Sequence, residues 1–178
     1  MKKQIPILIS ILIAVAVLYI TKEYYSASKD NDSTLTKIGQ PVPEFQLTTL
    51  SGEEMNIKDL KGKVVLLNFF ATWCPPCMAE MPHLQTDIWE LHKNDDFILL
   101  AFGREHTKAE LDSFNLKKGF DFPIIADTDR SIFSKFATQN IPRNVLLDKN
   151  GKIVYQAIGF EKEEFAELKH KIKELLHQ

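Results

Sequence analysis

The chain has 178 residues, of which 44% are hydrophobic and 26% charged, with seven glycines and eight prolines. That excludes a collagen-like or wholly disordered chain and suits one folded domain. A formal net charge of −2 offers no basic field for nucleic acid, and two cysteines exclude a multi-disulfide scaffold and tandem zinc fingers.

Residues 1–21 differ from the rest. Lys2 and Lys3 precede an uncharged, mostly aliphatic run from Gln4 to Thr21, which as a helix would reach roughly 27 Å. A core helix should carry a polar face, and this one offers only Ser10. The run is expected to be a signal anchor retained in the membrane, or else a cleaved signal peptide, with Ser26-Ala27-Ser28 as a distant cleavage candidate. In either case the remainder is expected outside the cytoplasm, anchored in the cell envelope or released there. Residues 22–36 are polar and read as a flexible tether, so the folded domain is expected over 37–178.

Within that domain, Phe45–Leu50 and Glu53–Ile57 flank Ser51-Gly52 as a hairpin. Val64–Phe70 is a continuous apolar run, the pattern of a strand buried on both faces. A helix is predicted from Cys74 to about Lys93, with Met81, Leu84, Ile88 and Leu91 on one face. Phe97–Gly103 reads as a second buried strand. Thr107 and Glu110 form a capping box for a helix that closes near Gly119. Phe122–Ala126 is a short strand, and Asp129–Gln139 is predicted as a helix presenting Ile132, Phe133 and Phe136. After Ile141-Pro142, strands at Asn144–Asp148 and Lys152–Ile158 flank Asn150-Gly151, a hairpin signal. A last helix runs from Glu161 to Leu176, with acidic residues at its start and Lys171 and Lys173 near its end. Strands alternating with helices, then a closing hairpin, imply an α/β sheet that is parallel in its centre and antiparallel at one side.

Both cysteines fall in Trp73-Cys74-Pro75-Pro76-Cys77. Two cysteines scattered at random would stand three apart roughly once in a hundred chains of this length. The pair follows a buried strand and opens a helix, so the two thiols lie on one helical turn, within reach of a disulfide. Cys74 meets the positive end of the helix dipole, which favours thiolate, and Cys77 lies one turn deeper. Such a pair can attack a foreign disulfide and resolve the mixed disulfide. Pro76 fits the first helical turn, where its missing N–H costs nothing. Two other readings are weaker: a structural bridge closing so short a loop stabilises little, and a metal site needs further ligands, for which only His83 and His106 are candidates.

The stretch 64–77, Val-Val-Leu-Leu-Asn-Phe-Phe-Ala-Thr-Trp-Cys-Pro-Pro-Cys, with Met78-Ala79-Glu80-Met81-Pro82 after it, resembles a thioredoxin-fold active site. More narrowly it resembles the membrane-anchored thiol–disulfide oxidoreductases of the TlpA/ResA type, over about Ile38 to the C-terminus. The resemblance implies a thioredoxin-like three-layer sandwich with an N-terminal hairpin and an extra strand–helix unit at 122–139. It implies that Cys74 attacks, that Cys77 resolves, and that Pro142 is a cis-proline leaving the backbone of Ile141 free to pair with a substrate strand. Trp73 would pack beside the cysteines and limit access. Glu80 would take the Cys77 proton, or else be a solvated surface carboxylate; Asn68 stands where cytoplasmic thioredoxins carry a buried acid. Two features depart from or add to the pattern. Arg143 would reach toward Cys74, bind an acidic substrate patch, or simply be solvated. Arg104-Glu105-His106 is a specificity loop or the lead-in to a helix.

The function implied is reduction of protein disulfides with no cofactor beyond the dithiol, for example of apocytochrome c during cytochrome c maturation. Electrons would come from a membrane thiol carrier. An oxidase or isomerase is the first alternative, because direction depends on reduction potential. A thiol peroxidase would need threonine where Ala71 stands, and a copper-binding module would space its cysteines more widely and add a histidine.

Overall fold

The computed structural model describes Ile13, residues 15–18 and residues 33–178. The anchor or signal peptide read over 1–21 therefore lies almost wholly outside the described residues, as do residues 22–32 of the tether. Among the described residues no helix is long and apolar enough to cross a membrane.

Two short strands, β1 (Gln46–Thr48) and β2 (Glu54–Asn56), pair antiparallel as the expected hairpin. Next comes β3 (Val64–Phe70), with all seven residues buried. The chain continues through α1 (Pro75–His83), β4 (Phe97–Arg104), α2 (Lys108–Lys118), β5 (Ile124–Asp127), β6 (Arg143–Leu147), β7 (Ile153–Ile158) and α3 (Lys162–Leu176). The main sheet has the order β5-β4-β3-β6-β7. β3 pairs parallel with β4 and antiparallel with β6, and β4 with β5 is parallel. This is the mixed sheet read from the sequence.

Alternation along β3 divides the core in two. Val64, Leu66 and Phe70 face a cluster with Cys77, Met81, Leu84 and Ile88 below α1 and with Phe165, Leu168 and Ile172 of α3. Val65, Leu67 and Phe69 face the other way, against Phe45, Ile57, Phe133 and Phe136. Gly103 ends the buried part of β4 where α2 crosses closely: a Cβ there would lie 2.6 Å from Leu111 Cδ1. The capping box of Thr107 and Glu110 is formed, and α2 stops at Gly119 with φ of 70°.

Three expectations are corrected. The helix expected over 129–139 is absent, apart from a single 3₁₀ turn at Phe133–Lys135. The Asp127 carboxylate accepts the N–H groups of Ile132 and Phe133 at 3.0 and 2.8 Å, and Arg130 has φ of 62°. Those local bonds replace a helical start. Ile132, Phe133 and Phe136 are buried all the same, so that face of the sheet is covered by the hairpin and by turns. The helix expected from Cys74 to Lys93 is interrupted: after α1 it passes into a π-helical stretch, Leu84–Trp89, before a last turn, Glu90–His92. Pro82 sits inside α1 without an N–H to give, and the Glu90 N–H reaches back to Gln85 O. The wider turn rotates the next residues about the helix axis, so Ile88 is buried while Leu91 is 68% exposed. Finally, the domain begins before Lys37. Thr34 bridges Ala137, the Leu35 N–H bonds Phe136 O at 2.8 Å, and Ser33 and Thr36 are buried.

The shifted register has a measurable consequence. Ile88→Ala should cost about 2–5 kcal/mol in chemical denaturation, the range for a buried aliphatic truncation. Leu91→Ala should stay within about 0.5 kcal/mol of the parent. An unbroken α-helix would make both costly.

Candidate active site

β3 delivers the chain to the site. Ala71, Thr72 and Trp73 cross from its end to Cys74, which caps α1 in extended conformation, with φ of −92°. Pro75 and Pro76 occupy the first two helical positions and carry no N–H, so the first amide α1 can offer is that of Cys77. It points at Cys74 Sγ from 3.3 Å. Cys74 and Cys77 are joined by a disulfide, with Cα atoms 5.3 Å apart. Cys74 keeps 4% of its surface exposed and Cys77 none. On the other side of Cys74, its Sγ lies 3.7 Å from Ile141 O, and the Ile141–Pro142 bond is cis.

The turn Arg104-Glu105-His106 packs against Thr72 and Trp73, the residues that lead into Cys74. His106 is buried, and its Nε2 accepts the N–H of Thr72 at 3.0 Å. The Arg104 guanidinium lies 5.6 Å from the Trp73 ring centre and 5.2 Å from that of Phe133, and it pairs with Glu105 at 3.1 Å. Trp73 is itself 59% exposed. Its ring is largely open to solvent, with the Arg104 guanidinium against it.

Glu80 lies on the buried stripe of α1 with Cys77, Met81 and Leu84, and is 1% exposed. It is not a solvated surface carboxylate. Asn68 of β3 and Asn144 of β6 are register partners and therefore share one face of the sheet, beneath α1. Asn68 Nδ2 donates to Glu80 Oε2 at 2.9 Å and to Asn144 Oδ1 at 2.9 Å, while Asn144 Nδ2 donates to Glu80 Oε1. Burial pushes the Glu80 carboxyl up to about 7, against the opposing pull of the amides of Asn144 and Asn68. Glu80 also lines a small cleft of about 10 Å³ with Asn144, Gly159, Phe160, Phe165 and Leu168. A carboxyl that titrates near neutrality, one turn beyond a buried thiol position, is equipped to hold and release a proton there.

Arg143 is placed differently from every role expected of it. It is fully buried, and as the register neighbour of Phe69 it points to the face opposite Asn144. Its Nη1 donates to Thr34 Oγ1 at 2.9 Å, and its Nη2 to Ser33 Oγ at 3.1 Å and Gln139 O at 3.3 Å. Packing behind the Pro142 loop keeps it from Cys74 and from any docked acidic patch. The second amide on Glu80, from Asn144, and the hydroxyls of Ser33 and Thr34 are the site features that sequence reasoning missed. Asn144, one residue beyond Arg143 on a strand buried on both faces, was the available signal for the first.

The raised carboxyl makes stability depend on pH. Below about pH 4.5 Glu80 is neutral in both folded and unfolded states, and above about 7 the folded state must bury its charge. The stabilisation present in acid is thus lost as pH rises through the folded value. Relative to Glu80→Gln, the parent should lose about 3 kcal/mol between pH 4 and pH 8, from the rise of its carboxyl from 4.5 to about 7. Urea unfolding of both proteins at the two pH values measures this; a pH-independent difference would contradict the burial argument.

Comparisons with known proteins agree with this geometry. The family profile described as Redoxin matches residues 37–172. A protein named thiol-disulfide oxidoreductase ResA, from Bacillus thuringiensis (strain Al Hakam), is 35% identical over 133 residues, covering 75% of this chain and 76% of the relative. The protein of that name from Geobacillus thermodenitrificans is 30% identical over 153 residues, covering 86% and 87%. Among solved structures, a protein disulfide isomerase candidate from Bacteroides thetaiotaomicron superposes with a TM-score of 0.79 at 38% identity, covering 82% of this chain and 94% of that one. StoA from Bacillus subtilis gives 0.61 at 27% identity, covering 72% and 96%. With a dithiol pair at a helix start beside a cis-proline, on a thioredoxin-like sheet, this chain belongs to the Redoxin family and is a thiol–disulfide oxidoreductase.

Proposed function

We propose that this enzyme reduces protein disulfides outside the cytoplasm, held at the membrane by residues 1–21, with apocytochrome c cysteines among its substrates. The observation that carries the dithiol exchange is Glu80: a buried carboxyl pushed up to about 7, one turn from Cys77, placed to take and return that thiol's proton. The relatives named ResA support the substrate class, and the uncharged run from Gln4 to Thr21 supports the anchoring.

The cycle starts from the dithiol. The Cys74 thiolate, favoured by the helix start and the Cys77 N–H, attacks one sulfur of a substrate disulfide. That S–S bond breaks, the far substrate sulfur leaves as a thiolate, and a mixed disulfide forms at Cys74. The substrate chain lies extended along Ile141, whose backbone pairs with it beside Pro142. Glu80 then takes the proton from Cys77, and the new thiolate attacks Cys74 Sγ. The second substrate sulfur leaves, and Cys74–Cys77 is left oxidised. Two electrons have passed to the substrate, and a membrane thiol carrier restores them.

The order of the two sulfurs is tested by trapping. Cys77→Ser should accumulate mixed disulfides with cellular proteins, whereas Cys74→Ser should accumulate none. Equal trapping by both would erase the assignment, and cytoplasmic captives would refute the compartment. Glu80→Gln should slow turnover of a protein disulfide and remove the limb of its pH–rate profile near 7, measured by steady-state kinetics between pH 5 and 9.

A further inference from the structure

The loop that carries Ile141 and Pro142 has two sides. One meets the disulfide, since Ile141 O lies 3.7 Å from Cys74 Sγ. The other is covered by residues 33–36, which run antiparallel to it: Thr34 bridges Ala137, the Leu35 N–H bonds Phe136 O at 2.8 Å, and the Thr138 N–H bonds Ser33 O at 2.9 Å. Side chains tighten the join. Arg143, the residue next after Pro142, spans from Gln139 O to the hydroxyls of Ser33 and Thr34. Asn140 Nδ2 approaches Ser33 Oγ at 3.5 Å. The segment leading into the domain is thereby tied to residues on both sides of the Ile141–Pro142 bond.

We propose that Ser33, Thr34 and Arg143 are positioning residues for substrate binding: they brace the Ile141–Pro142 loop from behind, so that its free backbone is preset for an extended substrate strand. This rests on the reading that Ile141 pairs with the substrate. Residues 128–137 are anchored by Asp127 and by buried Ile132, Phe133 and Phe136, but between Thr138 and Pro142 the loop has no helix or strand of its own: Arg130 Nη2 holds Thr138 O at 2.6 Å, and Asn140 has φ of 69°. A loop fixed before binding loses less freedom when the strand arrives, and the gain appears in affinity rather than in sulfur chemistry. The brace touches neither Cys77 nor Glu80, which lie on the opposite face of the sheet.

The test compares two substrates of the full-length reduced enzyme. One is a disulfide-bridged peptide long enough to pair along Ile141, and the other a small aromatic disulfide with no backbone to pair. Ser33→Ala combined with Thr34→Val should raise KM for the peptide about tenfold, as a displaced positioning element does, with kcat unchanged. The rate on the small disulfide should stay at the parent value. Exchanging the hydroxyls, Ser33→Thr with Thr34→Ser, should restore the parent KM. Thr34→Val alone, which keeps Ser33 and the backbone join, should shift KM in the same direction by less and guards against loss of folding. An unchanged peptide KM in the double variant overturns the brace, as does an equal loss on both substrates, which would mark a merely structural role. Pro142→Thr separates the two levels. If it too leaves peptide KM unchanged, the strand-pairing reading has failed; if it raises KM while Ser33→Ala/Thr34→Val does not, only the brace has.

Discussion

The site hangs from the middle strand. β3 is hydrogen-bonded on both edges, to β4 and β6, and covered on both faces, so none of its seven residues has room to move. Its carboxyl end therefore emerges at a fixed point, and Cys74 comes after a three-residue crossing that His106 holds through the Thr72 N–H. The sulfur is positioned because an apolar strand has nowhere else to go. The same strand carries Asn68, which ties Glu80 into the lattice that fixes the cysteines.

Polar burial on β6 repeats this logic on two faces. Adjacent residues on a strand point to opposite sides. Asn144 thus joins Glu80 and Asn68 under α1, while Arg143 turns to the hydroxyls of the entering segment. Both lie directly after Pro142. Hydrogen bonds must compensate each buried group, and satisfying them commits the backbone between to one path. The loop facing the disulfide is defined from both sides by groups that a purely apolar strand would not need.

Much of this was legible in the sequence because it depends on local pattern. The unbroken run 64–70, the capping box at Thr107 and the Asn150-Gly151 turn each match what the chain forms. The spacing and placement of Cys74 and Cys77 announced the chemistry, and Glu80 could be suspected from its place one turn after Cys77 and from the family resemblance. What failed depends on partners. The spacing of Ile132, Phe133 and Phe136 suits a helix and a tight turn equally, and the choice was made by Asp127, a side chain on the preceding strand. The π-helical stretch follows soon after a mid-helix proline, and its effect on Leu91 is something periodicity cannot show. The fate of Arg143 was set by Ser33, 110 residues earlier in the chain. A cation beside a reactive thiol reads as functional until those hydroxyls are seen.

The paired prolines of α1 leave a helix end poorer in donors than usual. An ordinary first turn turns several backbone amides toward an anion at its mouth. Here two of those amides have been replaced by ring carbons, and the sulfur of Cys74 is met by one. The protein's contact with that sulfur at the helix mouth is thus a single hydrogen bond, backed by the field of the helix. A thiolate formed there on reduction is sparsely solvated by the protein itself, a condition that works against its ionisation but leaves the nucleophile reactive.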